Sequence, residues 1–444
     1  MNRITHYQVL AIAALIVSCI LPASAQSAVE LQDGQSVKVN LRLDRGLRSL
    51  ARNRNAATEG LPFYTANYTS FGQANVFNIV GTDPSLGTAT TTIPTVLVPI
   101  KVVFSNTTLD GTDVVALTEN SPIFLTTDFT TGGTDIGVTQ YGDAIQRGEF
   151  WKLPGFSHSG YHVLLGTPTI APTVTVTVPS KAAGQAFKLK DGKFIGALDP
   201  GFFDPIIERL VGSYTPNQLP IFLTDNVFEA PGAVLQNCCI GGYHASQGPP
   251  ISTAQTWIYA VYTEPDTFKD NGFIDVVPLS HEVAEWLNDP FVGAFPPPGI
   301  NLIPPAILPG QGSACIPNFE TGDPLEALLP ATWFTETTNG TVYHLQDEAF
   351  LSWYLHGHSL WRGWVLPLLG MCSCAARRQT RMSFLILESL CIKEAMHGTV
   401  LATRSTFTRS NRTFSHARTA PQRALICRAI APTYARALRR RMDR

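Results

Sequence analysis

The sequence predicts an α+β fold in which a β-rich N-terminal part, 26–180, packs on a second region, 181–358, built around one short helix at 280–289. Three observations carry this. Residues 26–180 are rich in Thr, Val, Gly and Asn, with short apolar runs separated by polar turn clusters. From residue 197 onward, apolar runs alternate with longer amphipathic stretches. Finally, the run Leu279-Ser-His-Glu-Val-Ala-Glu-Trp-Leu-Asn-Asp-Pro290 gathers titratable side chains at helical spacing.

The elements follow in chain order. Arg3, the apolar core from Val9 to Leu21 and Ala23-Ser24-Ala25 read as an export signal over 1–25. A lipid attached at Cys19 is the alternative. The apolar core is too short to span a bilayer comfortably, so no membrane span is expected. Export predicts a secreted, extracellular or periplasmic protein. The runs at 95–104 and 173–178 read as strands, and 140–151 as a helix with Ile145 and Trp151 on its buried side. His158 and His162 are four apart, but Gly155, Ser157, Ser159 and Gly160 predict a loop there rather than a helical metal pair. Residues 201–211 read as a helix that Pro205 delays, and 219–224 and 256–262 as strands. The glycines of Cys238-Cys239-Ile-Gly-Gly-Tyr-His244 allow a close backbone approach, with His244 in a tight turn. A Pro/Gly segment over 295–312 reads as an ordered loop. Residues 340–353 read as a strand and a short helix, with Phe350 and Trp353 in the core.

Charge divides the chain near residue 358. Half of the 32 Lys and Arg lie beyond it, but only three of the 34 acids, giving net −15 before and +13 after. The basic segment 359–444 also holds Cys372, Cys374, Cys391 and Cys427, half of the 8 cysteines, with little hydrophobic periodicity. An exported acidic protein has no use for a nucleic-acid-binding arm, and such arms are rarely rich in Cys, Leu and Trp, so nucleic acid is excluded as a partner. The segment reads as out-of-frame or disordered sequence. Of the remaining mature cysteines, Cys238, Cys239 and Cys315, export permits a disulfide. The economical pairing joins Cys315 to one of the adjacent two, which would bring Glu320 towards the helix; a Cys238–Cys239 bond is the alternative.

The helix carries the chemistry. Ser280 suits an N-cap, and Pro290 stops the helix just past Asp289. At about 100° per residue, His281 and Glu285 share a face with Glu282 beside them. Asp289 falls one turn further, where an acid opposes the helix dipole and needs a partner.

His281-Glu282-x-x-Glu285 resembles the helix of zincin-type metallopeptidases, with a glutamate in place of the second histidine. More narrowly, Ser280–Pro290 followed by the Cys315 segment resembles the exordium-like (phosphate-induced protein) group and related exported bacterial proteins. The zincin resemblance implies His281 and Glu285 as metal ligands and Glu282 as the base that takes a proton from water held by the metal. It also implies a downstream third ligand, with Glu320 the first choice and Asp289 the second. Residues 256–262 would be the edge strand that binds extended substrate, and His244 would contact that substrate or supply a ligand. One imidazole with two carboxylates is a harder set than the peptidase norm, so zinc or another divalent ion is expected. Two functions follow. One is a secreted metal-dependent hydrolase, a peptidase acting on extracellular peptide, protein or cell-wall material. The other is a non-catalytic, cell-wall-associated binding protein on the same scaffold.

Overall fold

The computed structural model describes residues 25–42, 60–70, 73–131, 134–151, 156, 160–248, 251–270, 272–292, 306–307, 315–316, 318–326, 329 and 332–354. The chain divides into two units, 1–375 and 376–444, and every described residue lies in the first. Most of the export segment, His158, the Pro/Gly segment apart from 306–307, and the basic segment 359–444 fall outside the described residues.

The architecture is mixed α+β, organised on one seven-stranded sheet. In chain order its strands are β1 (Thr95–Val103), β2 (Thr108–Asp110), β3 (Thr169–Ile170), β4 (Val174–Thr177), β5 (Leu219–Asp225), β6 (Gly242–Gln247) and β7 (Gln255–Tyr262). The order across the sheet is β3-β1-β5-β7-β6, with β2 and β4 also paired to β1. Strands β3, β1, β5 and β7 run parallel, and β6 is an antiparallel edge strand on β7. Strands from both sides of residue 180 thus share one sheet.

Alternation along these strands feeds two cores, as a sheet covered on both faces requires. Leu97, Ile221, Leu223, Ile258 and Ala260 point to one face. Val98, Ile100, Phe222, Trp257 and Tyr259 point to the other. The second face is covered by the helix Pro200–Val211 through Phe203, Ile207 and Val211. Asp199 caps that helix by accepting from Gly201 N at 2.9 Å, and Pro205 sits inside it without delaying its start.

The first face carries α1 (Tyr141–Phe150) and α2 (Val277–Asn288). Ile145 and Trp151 are only partly buried against this core, while Tyr141, Ala144 and Phe150 enter it. Helix α2 begins earlier than the sequence predicts. Pro278 occupies its first turn, where a missing N–H costs nothing. Ser280 is therefore inside the helix, its Oγ donating to Val277 O at 2.8 Å and accepting from Gln346 N at 3.0 Å. The end is as expected: Asp289, at φ −144°, ψ 65°, leaves the helix ahead of Pro290. Leu279, Val283, Ala284, Trp286 and Leu287 bury its apolar face.

α1 approaches α2 closely at Gly142, where an added Cβ would lie 2.5 Å from Leu287 Cδ1 and 3.2 Å from Val283 Cγ1. Gly142→Ala should therefore cost about 1–3 kcal/mol through overpacking, read as a lower urea midpoint at constant slope. An unchanged midpoint would show that the helices part without penalty.

Three sequence expectations change. Strand β7 is interior, so the edge strand is Gly242–Gln247 rather than 256–262; an apolar run fits either position. His244 lies on that strand, not in a tight turn, and with Ser246 it faces α2 rather than the second core. Cys238 and Cys239 are bonded to each other, so Cys315 is joined to neither. Their carbonyls instead hold the end of the strand Ser36–Leu41, accepting from Asn40 N and Arg42 N at 2.8 and 2.7 Å. His162, in strand His162–Leu165, bonds Asp143 Oδ2 through Nδ1 at 2.8 Å, a local structural contact.

A hairpin, Trp333–Thr338 and Thr341–Gln346, closes over α2. Asn339 and Gly340 turn it at φ 50° and 78°, the left-handed pair that a two-residue hairpin needs. The short helix Leu351–Tyr354 follows, with Phe350 and Tyr354 buried.

Candidate metal centre

The centre sits where α2 meets the edge strand β6, the 318–326 segment and the end of the hairpin. His281, Glu282, Glu285, Glu320 and Asp323 are fully buried, and His244 is 4% exposed. Helical spacing puts His281 Nε2 3.1 Å from Glu285 Oε2. That contact lacks the geometry of a hydrogen bond. Two ligands bonded to one zinc at about 2.0–2.1 Å lie roughly 3.3 Å apart, close to this separation.

The neighbours fix the orientation of both groups. His281 Nδ1 lies 2.8 Å from Gln346 Oε1, while Gln346 Nε2 donates to Gly322 O at 2.9 Å. The amide therefore presents oxygen to the ring, Nδ1 donates to it, and Nε2 is the nitrogen directed at Glu285, free to ligate once an ion displaces its proton. Glu285 Oε1 accepts from Gly322 N and Asp323 N at 3.0 and 3.1 Å, leaving Oε2 directed inward. Burial works against the Glu285 charge, but His281, His244 and these N–H donors keep its pKa below the usual carboxylate value. Burial likewise disfavours the His281 cation, yet Glu285, together with the Glu348 and Glu326 carboxylates behind it, outweighs burial and lifts the imidazole to about 9.

His244 approaches from β6. Its Nε2 lies 3.2 Å from Asp289 O and 3.6 Å from Glu320 Oε2, and its Nδ1 lies 3.2 Å from Glu282 Oε2 and 3.8 Å from Glu285 Oε2. Burial, reinforced by the His281 charge, lowers its pKa to about 4, so this ring is neutral at pH 7. The donors form two overlapping sets that share Glu285: His281, Glu282 and Glu285, and His244, Glu285 and Glu320.

The structure thus brings together His281, Glu282, Glu285, Glu320 and His244, with Glu320 beside His244 rather than beside His281. Asp289 serves differently. Its Oδ2 accepts from Phe319 N at 3.2 Å and fixes the segment that delivers Glu320. Burial and the Glu285 charge raise its pKa to about 7. Asp323, not anticipated as a ligand, places Oδ1 3.8 Å from His281 Nε2. Neither Asp323 nor Gln346 carries a local signal, since both reach the site only through tertiary folding.

Four fully buried carboxylates surround two imidazoles. Isolated charges of this kind are tolerated in a protein interior when protonated, paired or bound to a cation. These buried His and Glu groups could hold a metal ion, and the donor set suits a divalent one. No family model, curated protein or solved structure matches this chain.

Proposed function

We propose that this protein is an exported metal-dependent hydrolase whose ion is held by His281 Nε2 and Glu285 Oε2, with Asp323 completing the set. One observation carries the reading: two convergent donors at ligand spacing, each fixed by its own hydrogen bonds to Gln346 or the Gly322–Asp323 backbone. A divalent ion there would polarise water and a substrate carbonyl. Glu282, on the same helix and next to Glu285, accepts the proton. His244 orients it through the 3.2 Å contact. The antiparallel edge strand β6 borders the centre and delivers His244 to it.

The test is metal analysis by mass spectrometry on the secreted chain, followed by a peptide-library digest. About one divalent ion per chain is expected in the parent and in Glu282→Gln, with turnover lowered about 10²–10⁴-fold in the variant. A parent that is folded yet binds no ion would sink the proposal.

A second reading rests on Glu282 being fully buried and held by His244. On it, the ion braces a non-catalytic extracellular binding protein. Stoichiometric metal without cleavage of any library peptide would select that reading.

A further inference from the structure

Apart from the metal centre, the described residues form a small, partly open crevice between α1, the strand Thr127–Thr131 and the hairpin's exit. Its walls are largely aromatic: Phe129, Tyr141, Phe334 and Phe350. Two carboxyl groups, Asp347 and Glu348, line it as well, and among the described residues no Lys or Arg does.

The three central rings form a near-equilateral group. Ring centroids lie 6.4 Å apart for Phe129–Tyr141, 6.5 Å for Phe129–Phe334 and 6.3 Å for Tyr141–Phe334. The pairs meet edge-to-face or tilted, and a group seated among them would lie within roughly 6 Å of each centroid, the range of a cation–ring contact. The two carboxyl groups add oxygen acceptors, and an ammonium seated beside them would supply the cation that their ionised forms lack. Asp347 Oδ1 is buried and makes no hydrogen bond among the described residues, although its backbone is tied down by Asp347 N donating to Thr332 O at 2.8 Å. Glu348 is 1% exposed, and its Oε1 is 3.0 Å from the Tyr141 hydroxyl, which donates to Gln346 O at 2.7 Å. Burial raises the Asp347 pKa to about 8, the response of a carboxyl group that lacks a cationic partner.

We propose that this cavity binds a single primary alkylammonium group, with the Phe129, Tyr141 and Phe334 rings around its methylene stem and the Asp347 and Glu348 carboxylates at its head. Aromatic walls suit the stem and the cation together, and an amine with a pKa near about 10.4 is charged at pH 7. A neutral apolar ligand would use the rings but leave the Asp347 oxygen unsatisfied, at a cost. A carboxylate ligand would be repelled. Two sources carry this chemistry, a lysine side chain in a peptide and a free small amine.

The experiment titrates the full chain at pH 7 by calorimetry with n-butylamine, Nα-acetyl-lysine methylamide and, as the neutral isostere, 1-butanol. Saturable binding of the amines and at least tenfold weaker binding of 1-butanol are expected. Phe334→Leu and Asp347→Asn should each weaken amine binding at least tenfold while circular dichroism stays that of the parent. Binding should persist in EDTA, which separates this site from the metal centre. Tighter binding of the lysine derivative assigns the pocket to a peptide side chain, and equal or tighter binding of n-butylamine assigns it to a free amine. Failure of both amines to saturate, 1-butanol binding as tightly as n-butylamine, or amine affinity within twofold of the parent in both variants would overturn the proposal.

Discussion

Stripping the ion with EDTA from a metal-loaded sample should destabilise the fold by about 2.7 kcal/mol, if the free ion had stood at about a hundredfold excess over its Kd. The loss has a specific origin. Glu282, Glu285, Glu320 and Asp323 are fully buried within one small volume, and His281 is the one imidazole there whose pKa favours its charged form at pH 7. Removing a divalent cation leaves those carboxylates to repel one another or to take up protons, and either costs folding free energy. Urea melts of the loaded and stripped protein, beside a His281→Ala/Glu285→Ala double variant, measure this. The double variant should carry no ion, and EDTA should not move its midpoint. Superimposable melts of loaded and stripped parent protein would remove the structural role assigned to the ion.

Gly322→Ala should abolish the site without altering a single ligand. An added Cβ would lie 2.2 Å from His281 Nδ1, 2.8 Å from Cε1 and 3.1 Å from Cγ. The ring has little room to retreat, because Nδ1 bonds Gln346 and Nε2 faces Glu285. Nor can the Gly322 backbone move freely, since its N–H donates to Glu285 Oε1 and its carbonyl accepts from Gln346 Nε2. One methyl group thus disturbs the orientation of both principal ligands. Metal affinity should fall at least 10–100-fold, the usual cost of losing the partners that orient ligands, with about 1–3 kcal/mol lost from overpacking. Metal-competition titration measures the first and urea denaturation the second. Affinity within twofold of the parent would mean that His281 is not a ligand.

The parts of the site legible in the sequence are those set by local geometry. His281, Glu282 and Glu285 converge because a helix repeats every 3.6 residues, so their spacing alone placed them together. The same locality explains the misread helix start. Ser280 is a good cap by residue type, but Pro278 in the first turn supplied the stronger signal, and packing of Val277 into the second core extends the helix back to it. Strands 219–224 and 256–262 were recognisable as buried runs, whereas their neighbours were not. Period-two apolarity on both faces does not say which strand ends the sheet. Glu320 was tied to the helix through a Cys315 disulfide. The actual tethers are Asp289 accepting from Phe319 N and Glu285 accepting from Gly322 N, backbone contacts that leave no mark on composition. Gln346, which sets the tautomer of His281, comes from a hairpin whose Asn339-Gly340 turn is legible but whose docking is not.

The centre also fixes an order of events in folding. Its contacts span long stretches of chain: His244 meets Glu282 across 38 residues, Glu285 meets Gly322 across 37, and His281 meets Gln346 across 65. Each such loop carries a closure entropy that must be met before its contacts can repay it, so these are late steps. Helix α2 can form early, but until the chain through Gln346 has been synthesised and the hairpin docked, His281 has no fixed tautomer and no ion is held tightly. On the proposed function, capture of an ion would mark completion of the fold, and nascent or clipped chains that lack the hairpin would be distinguishable from finished ones by their inability to retain it.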